Sequence, residues 1–327
     1  MLHIHNGDSS ANTAKQTSLP GEHFAFREAL IDGPTPEKFN GNDSRFVRAQ
    51  HLWEAYGIDL EECLGQLLAQ EQKLATFSEH DEVVLWFEHD LFCQLQLIYL
   101  LAWFGRQDMQ KTSLSLVCIN QFPGRENFRG LGELNPDELA SLFPARQPVT
   151  DSQLELGSVA WAAYCSDDPT NLQKFLETDT SHLPFLKDAL DAHLRRFPAT
   201  TNGLGLVGNT LLRLVDNGAT RFTDLFKQFG DALPIYGLGD AQIWNALRQL
   251  NLARLPLLIV KNGGQLGKSI AGDAEFEITE TGKAVLRNEA DFVSLNGVEY
   301  WLGGVQLSGR KHIWRWDDGN KKLVNSK

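Results

Sequence analysis

The chain has 327 residues, of which 42% are hydrophobic and 22% charged, so composition excludes a disordered or fibrous protein and length predicts two or three domains. A formal charge of −12 excludes a protein whose whole surface engages nucleic-acid phosphates. Residues 1–200 hold 29 acids against 15 Lys and Arg, whereas residues 201–327 hold 13 against 15; the last third alone is electrostatically free to meet an anion.

Leu2 to His5 and His23 to Phe26 read as short strands around a helix over Ser10 to Thr17. Ile31-Asp32-Gly33-Pro34-Thr35-Pro36 forms a stiff turn, because both prolines fix φ. Ser44 to Tyr56 and Leu60 to Phe77 repeat apolar residues at three- and four-residue spacing, as helices do. Val83 to Phe87 is a continuous apolar run, the mark of a central parallel strand covered on both faces. Helix Leu91 to Phe104 and strand Leu114 to Ile119 complete a second strand, helix, strand unit, and such alternation predicts a parallel, Rossmann-like sheet.

From Pro136 to Pro198 the pattern is helical throughout, with Asn135 as a cap. The last third changes character. Leu204 to Val215, Phe222 to Phe229 and Ala241 to Leu250 read as three helices. Strands at Pro256 to Val260 and Phe276 to Ile278, a turn at Thr279-Glu280-Thr281-Gly282 and a β-rich end follow. Three helices closed by a hairpin is the order of a winged helix. The expected fold class is therefore α/β in three parts: a Rossmann-like domain over 1–125, a helical region over 126–203 and a winged-helix-like domain over 204–327.

Cys63, Cys93, Cys118 and Cys165 stand among apolar residues and read as small buried hydrophobes. Leu91 to Phe104 is interrupted by Gln94 and Gln96 and falls short of the ~20 residues of a membrane span. Leu2 to His5 is too short for the core of an export signal. A cytoplasmic protein with reduced thiols and no membrane contact is expected.

Two junctions carry the candidate chemistry. Leu2 to Ser9 and Val83 to Asp90 each run from strand-like residues into polar, acidic ones and then into a helix, and open α/β sheets bind ligands beyond the carboxyl ends of their strands. Gly7 permits a tight turn, and Asp8 or Ser9 is suited to cap the helix that follows. Asp90 suits a cap before Leu91, which leaves Glu88 and His89 for acid or base work, with Gln94 one turn into the helix facing the same cleft.

These segments, with Arg27-Glu28-Ala29-Leu30-Ile31-Asp32-Gly33-Pro34 and Leu85 to Leu97, together resemble a bacterial family known as domain of unknown function 1835. The likeness covers roughly the first 125 residues and continues through Asn202-Gly203-Leu204, Tyr236 to Asp240, Trp301 to Val305 and Trp314 to Asp317. It implies no activity, cofactor or catalytic residue. The family pattern has an apolar or small residue at the position of His5, which argues against His3 and His5 as a metal pair.

The leading expectation is an enzyme or ligand-binding protein for a nucleotide-like or phosphorylated small molecule. Glu88, His89 and Asp90 form the catalytic set, and Gly7, Asp8, Ser9, Arg27, Asp32 and Gln94 the binding set, with Arg27 on an anionic group. No metal site is assigned, and the cofactor and oligomeric state stay open. A second expectation is a regulatory protein whose end, residues 204–327, touches DNA or a protein partner. Nucleic acid is disfavoured there, since Ile243, Trp244, Leu247 and Leu250 stripe the third helix and leave few basic residues exposed. A third is a GDS-type ester hydrolase with Ser9 as nucleophile and Asp179-Thr180-Ser181-His182 as its late partner block, although no oxyanion-hole motif accompanies it. Gly203-Leu204-Gly205-Leu206-Val207-Gly208 spells a dinucleotide fingerprint but follows no strand, so it reads as a helix start.

Overall fold

The computed structural model describes residues 1–37, 42–261 and 264–325. Strand β1 (Leu2–Asn6), helix α1 (Asp8–Ala14) and strand β2 (Glu22–Phe26) open the chain, and helices α2 (Asn42–Tyr56) and α3 (Leu60–Ala75) follow. Strand β3 (Glu82–Glu88), helix α4 (Leu91–Phe104) and strand β4 (Ser113–Ile119) form the second unit. The sheet runs β2-β1-β3-β4 in parallel. Residues of β3 alternate between two apolar layers: Val83, Leu85 and Phe87 join the core that contains α4, whereas Val84 and Trp86 meet Ala14 of α1. Burial on both faces explains why β3 reads as an unbroken apolar run.

After β4 come α5 (Pro136–Ser141), a two-residue strand β5 (Gln147–Pro148), α6 (Asp151–Tyr164), α7 (Thr170–Phe175) and α8 (Leu186–Leu194). A continuous helical stretch is not what forms there. Pro144, Pro148, Pro169 and Pro184 each lack a backbone N–H and break it, while Asn135 caps α5 in a capping box with Glu138. β5 was not expected. It pairs antiparallel with β4 at the sheet edge, where a proline is tolerated.

Helices α9 (Leu206–Asp216), α10 (Phe222–Ala232) and α11 (Asp240–Leu252) precede the antiparallel pair β6 (Leu258–Val260) and β7 (Phe276–Ile278). An isolated bridge joins Arg221 to Glu275. The expected turn at Thr279 is instead the start of helix α12 (Glu280–Leu286), because the Thr279 hydroxyl accepts the Gly282 N–H at 3.0 Å. Helix α13 (Phe292–Asn296) and the hairpins β8 (Val298–Leu302) with β9 (Val305–Gly309) and β10 (Trp314–Asp317) with β11 (Lys322–Asn325) end the chain. Gly205 opens α9, as a helix start requires. One apolar core runs from Leu2 to Leu323 and takes in all three parts of the chain.

Two features bring the parts together around the first sheet. Arg48 of α2 is fully buried, paired with Glu28 at 2.6 Å, and donates to the Ala29, Asp32 and Pro34 carbonyls, so it holds the turn after β2. Helix α11 lies against α2: Arg248 donates to the Ala55 carbonyl at 3.2 Å and Gln242 to the Tyr56 hydroxyl at 3.4 Å. Among the described residues no helix is long and apolar enough to cross a membrane.

Candidate functional site

Gly7 takes φ +80°, which turns the chain sharply out of β1 into α1. Neither Asp8 nor Ser9 caps that helix through its side chain. The Asp8 carboxylate is drawn away by Arg27, which binds it in a fork at 2.7 and 2.6 Å from the end of β2. That hydrogen bond holds Asp8 below the usual carboxylate range and Arg27 above its own. The pair is half-exposed on both sides, so it contributes little to stability. Ser9 is exposed and donates to the Gly132 carbonyl at 3.3 Å. No hydrogen bond among the described residues joins Ser9 to a histidine, and Asp179 accepts from Ser181 N–H at 2.9 Å.

The second tip lies inside the protein. Glu88 accepts the Leu131 N–H at 2.6 Å and the Asn6 amide at 3.3 Å, and the Cys93 thiol donates to it. Asp90 caps α4 as expected, accepting the Cys93 N–H at 3.0 Å. Gln94 does not face a cleft: it is buried and donates to the Glu88 carbonyl at 2.6 Å, so it positions the backbone of the tip. Ligand atoms of Glu88, Asp90 and Cys93 lie within 4.8 Å of one another, and all three residues are buried. Burial pushes Glu88 upward, lifts Asp90 to about 6 with help from the Glu88 charge, and raises the Cys93 thiol. Burial of acidic groups beside one another favours their protonated forms over the charged ones. A divalent ion suits the same donors in type, but their mutual hydrogen bonds already satisfy them. His89 is half-buried, with its ring edge toward Phe185 and its Nδ1 buried without a partner.

The two tips therefore do not form opposite walls of one cleft. The segment 130–132 crosses the gap between β1 and β3, tied to Ser9 and Glu88. A side chain at Gly130 would place Cβ 2.9 Å from Glu88 Oε1, so the lid fits closely.

Open space lies to the β2 side. A cavity of about 510 Å³ is lined by Gly7, Asp8 and Arg27 at the strand ends, by Phe26, Leu52, Leu67 and Phe92 as apolar wall, and by Glu28, Tyr56, Gln96 and Gln242 as polar groups. Helices α2, α3, α4 and α11 all contribute. A neighbouring cavity of about 530 Å³ receives Asp32, whose carboxylate accepts from Arg196 at 2.9 Å and from the Tyr56 hydroxyl. Of the nine residues singled out in the sequence, Gly7, Asp8 and Arg27 line the first cavity and Asp32 the second; Ser9, Glu88, His89, Asp90 and Gln94 line neither. Sequence reasoning missed Glu28, Gln96 and Tyr56. The signal for Gln96 was present, as a polar residue inside an apolar helix.

A third cluster stands on the other side of the sheet. His3, His5 and His23 stack beside Trp86. The Trp86 indole donates to His3 Nδ1 at 3.1 Å, and His3 Nε2 lies 3.0 Å from the Pro20 carbonyl. That pattern requires a neutral His3 protonated at Nε2. Burial lowers His3 to about 4 and His5 to about 2, and lowers His23 as well.

Comparison with models of protein families and with curated proteins returns no match.

Proposed function

We propose that the protein binds a small anionic, nucleotide-like molecule in the cavity beside β1 and β2. The observation that carries this reading is the cavity itself: about 510 Å³ at the carboxyl ends of parallel strands, apolar inside, with the Arg27 guanidinium at its mouth. A phosphate there competes with Asp8 for one guanidinium. Glu88, Asp90 and Cys93 lie outside the lining and act in this reading as a hydrogen-bonded internal brace, so binding rather than catalysis is the supported activity. The sheet reads as Rossmann-like, and the likeness to the domain of unknown function 1835 family adds no ligand.

Thermal shift against mononucleotides and sugar phosphates tests the reading, since a ligand at a hundredfold excess over its Kd stabilises by about 2.7 kcal/mol. Ile58 lines the cavity and is 38% exposed, so Ile58→Trp fills the mouth with little strain in the core. A shift seen in the parent and lost in Ile58→Trp supports the cavity; a shift that survives the substitution places the ligand elsewhere.

A second reading has one observation in its favour. Three helices, a short bridge at Arg221 and the β6–β7 pair follow the order of a winged helix. Its third helix, α11, is turned onto α2 and the cavities, which fits an interaction module better than a groove reader. Salt-dependent binding of the full chain to duplex DNA would restore the DNA reading.

A further inference from the structure

We infer that the neighbouring cavity of about 530 Å³ is a second binding site, and that it takes a small zwitterion of the free amino acid type, held by its carboxylate on Arg248. The inference is independent of what occupies the cavity beside β1 and β2.

The second cavity is framed by α2, α9, α11 and the β8–β9 hairpin, and its volume is within the ordinary range of small-molecule sites. Arg248 lies in its wall and is half-buried. Two other lining residues hold the guanidinium: Nη1 donates to the Ala55 carbonyl at 3.2 Å and to Asn245 Oδ1 at 3.1 Å. Nε donates to the Leu266 carbonyl at 3.3 Å. All three acceptors are neutral. Among the described residues no carboxylate stands within 4.0 Å of Arg248, and burial lowers it below the ordinary arginine value with no neighbouring charge to offset the loss of water. A charge taken out of water is normally paired. Among the described residues Nη2 makes no hydrogen bond, and unlike the buried orphan atoms elsewhere in the protein it keeps surface open to an incoming group. A reachable, uncompensated guanidinium in a cavity wall calls for an anion supplied from outside.

The other charges of the lining select the kind of anion. Arg196 is already bound to Asp32. Glu54 and Glu299 also line the cavity and accept only from neutral groups, Gln50 on the first and Gln306 and Ser308 on the second. A phosphate would bring a doubly negative group toward them, whereas a carboxylate carried with an ammonium brings a cation that they attract. Glu54 immediately precedes Ala55, whose carbonyl holds Arg248, so the acid and the guanidinium belong to the same part of the wall. Gln242, Asn245 and Gln249 of α11 offer amide donors and acceptors to the rest of the molecule.

Thermal shift of the full chain against each standard free amino acid, with inorganic phosphate and pyrophosphate alongside, tests this, and titration calorimetry measures any ligand found. The expected result is a stabilising shift with at least one amino acid and none with its carboxamide derivative, which lacks the carboxylate. Arg248→Gln weakens that amino acid by about tenfold or more, the loss of a charge-assisted contact. Glu54→Gln weakens it by about twofold to fivefold. Ile58→Trp fills the other cavity and leaves the affinity unchanged. Arg248 also ties Leu266 to Ala55, so Arg248→Gln is judged where melting shows it folded; the carboxamide comparison needs no variant. No shift with any amino acid, equal binding of the carboxamide, or full affinity in folded Arg248→Gln overturns the inference, and so does a response to phosphate or pyrophosphate alone. Binding lost in Ile58→Trp and kept in Arg248→Gln also overturns it, and leaves the cavity beside β1 and β2 as the site.

Discussion

At Gly237 the chain has no room for a side chain. An added Cβ would lie 2.1 Å from Asp90 Oδ1, and the residue has φ +60°. Gly124 has φ +80° with nothing within 4 Å of the same position. Gly124→Ala should therefore cost only the left-handed backbone term, about 1 kcal/mol, while Gly237→Ala should add about 1–3 kcal/mol of overpacking. Urea unfolding of the two variants measures the difference, and equal losses would mean that Gly237 does not confine Asp90. Arg48 makes the opposite point, since here a group must stay. Glu28→Ala leaves a fully buried guanidinium without its counter-charge, and a loss of about 3–5 kcal/mol is expected in the same assay.

The β1–β2 pair holds its histidines neutral, and the sign of the pH effect follows. Burial holds folded His3 and His5 at about 4 and 2, below the ordinary histidine value of about 6.5, so between about 6.5 and 4 the unfolded chain binds more protons. Stability is full above about pH 6.5 and falls as pH drops, by up to about 1.4 kcal/mol per pH unit for each histidine. Asp90 works in the other direction: raised to about 6, it contributes stability in acid that is lost as pH rises through about 6. Melting between pH 7 and 4 should show a shallower acid loss in His5→Leu and a steeper one in Asp90→Asn; parallel curves would refute the assignment. β1, β3 and α4 were legible in the sequence because their apolar runs reflect burial from one or both sides. β5 was not, because two residues held by pairing to β4 have no periodicity of their own. The Asp90 cap was legible from local chemistry. The Glu28–Arg48 pair and the bond from the Gln96 amide to the Glu28 carbonyl were not, since they depend on partners 20 and 68 residues away, brought together only by packing.

Across the whole molecule, the apolar core crosses every boundary that composition and pattern suggest, joining Leu2, Leu186, Leu211 and Leu323. Calorimetric unfolding should therefore give one cooperative transition, with the calorimetric and van't Hoff enthalpies agreeing; two resolved peaks would show that the last third melts alone. The two cavities are as closely joined as the core. Gln242 lines both of them, reaching the Tyr56 hydroxyl at 3.4 Å while its side-chain oxygen accepts the Gly239 N–H at 3.1 Å. It is a party wall, one residue facing both spaces. Two chambers that share such a wall are not independent compartments: an occupant that moves Gln242 changes the shape of the space next door, and by reciprocity a second occupant feels the first to the same extent.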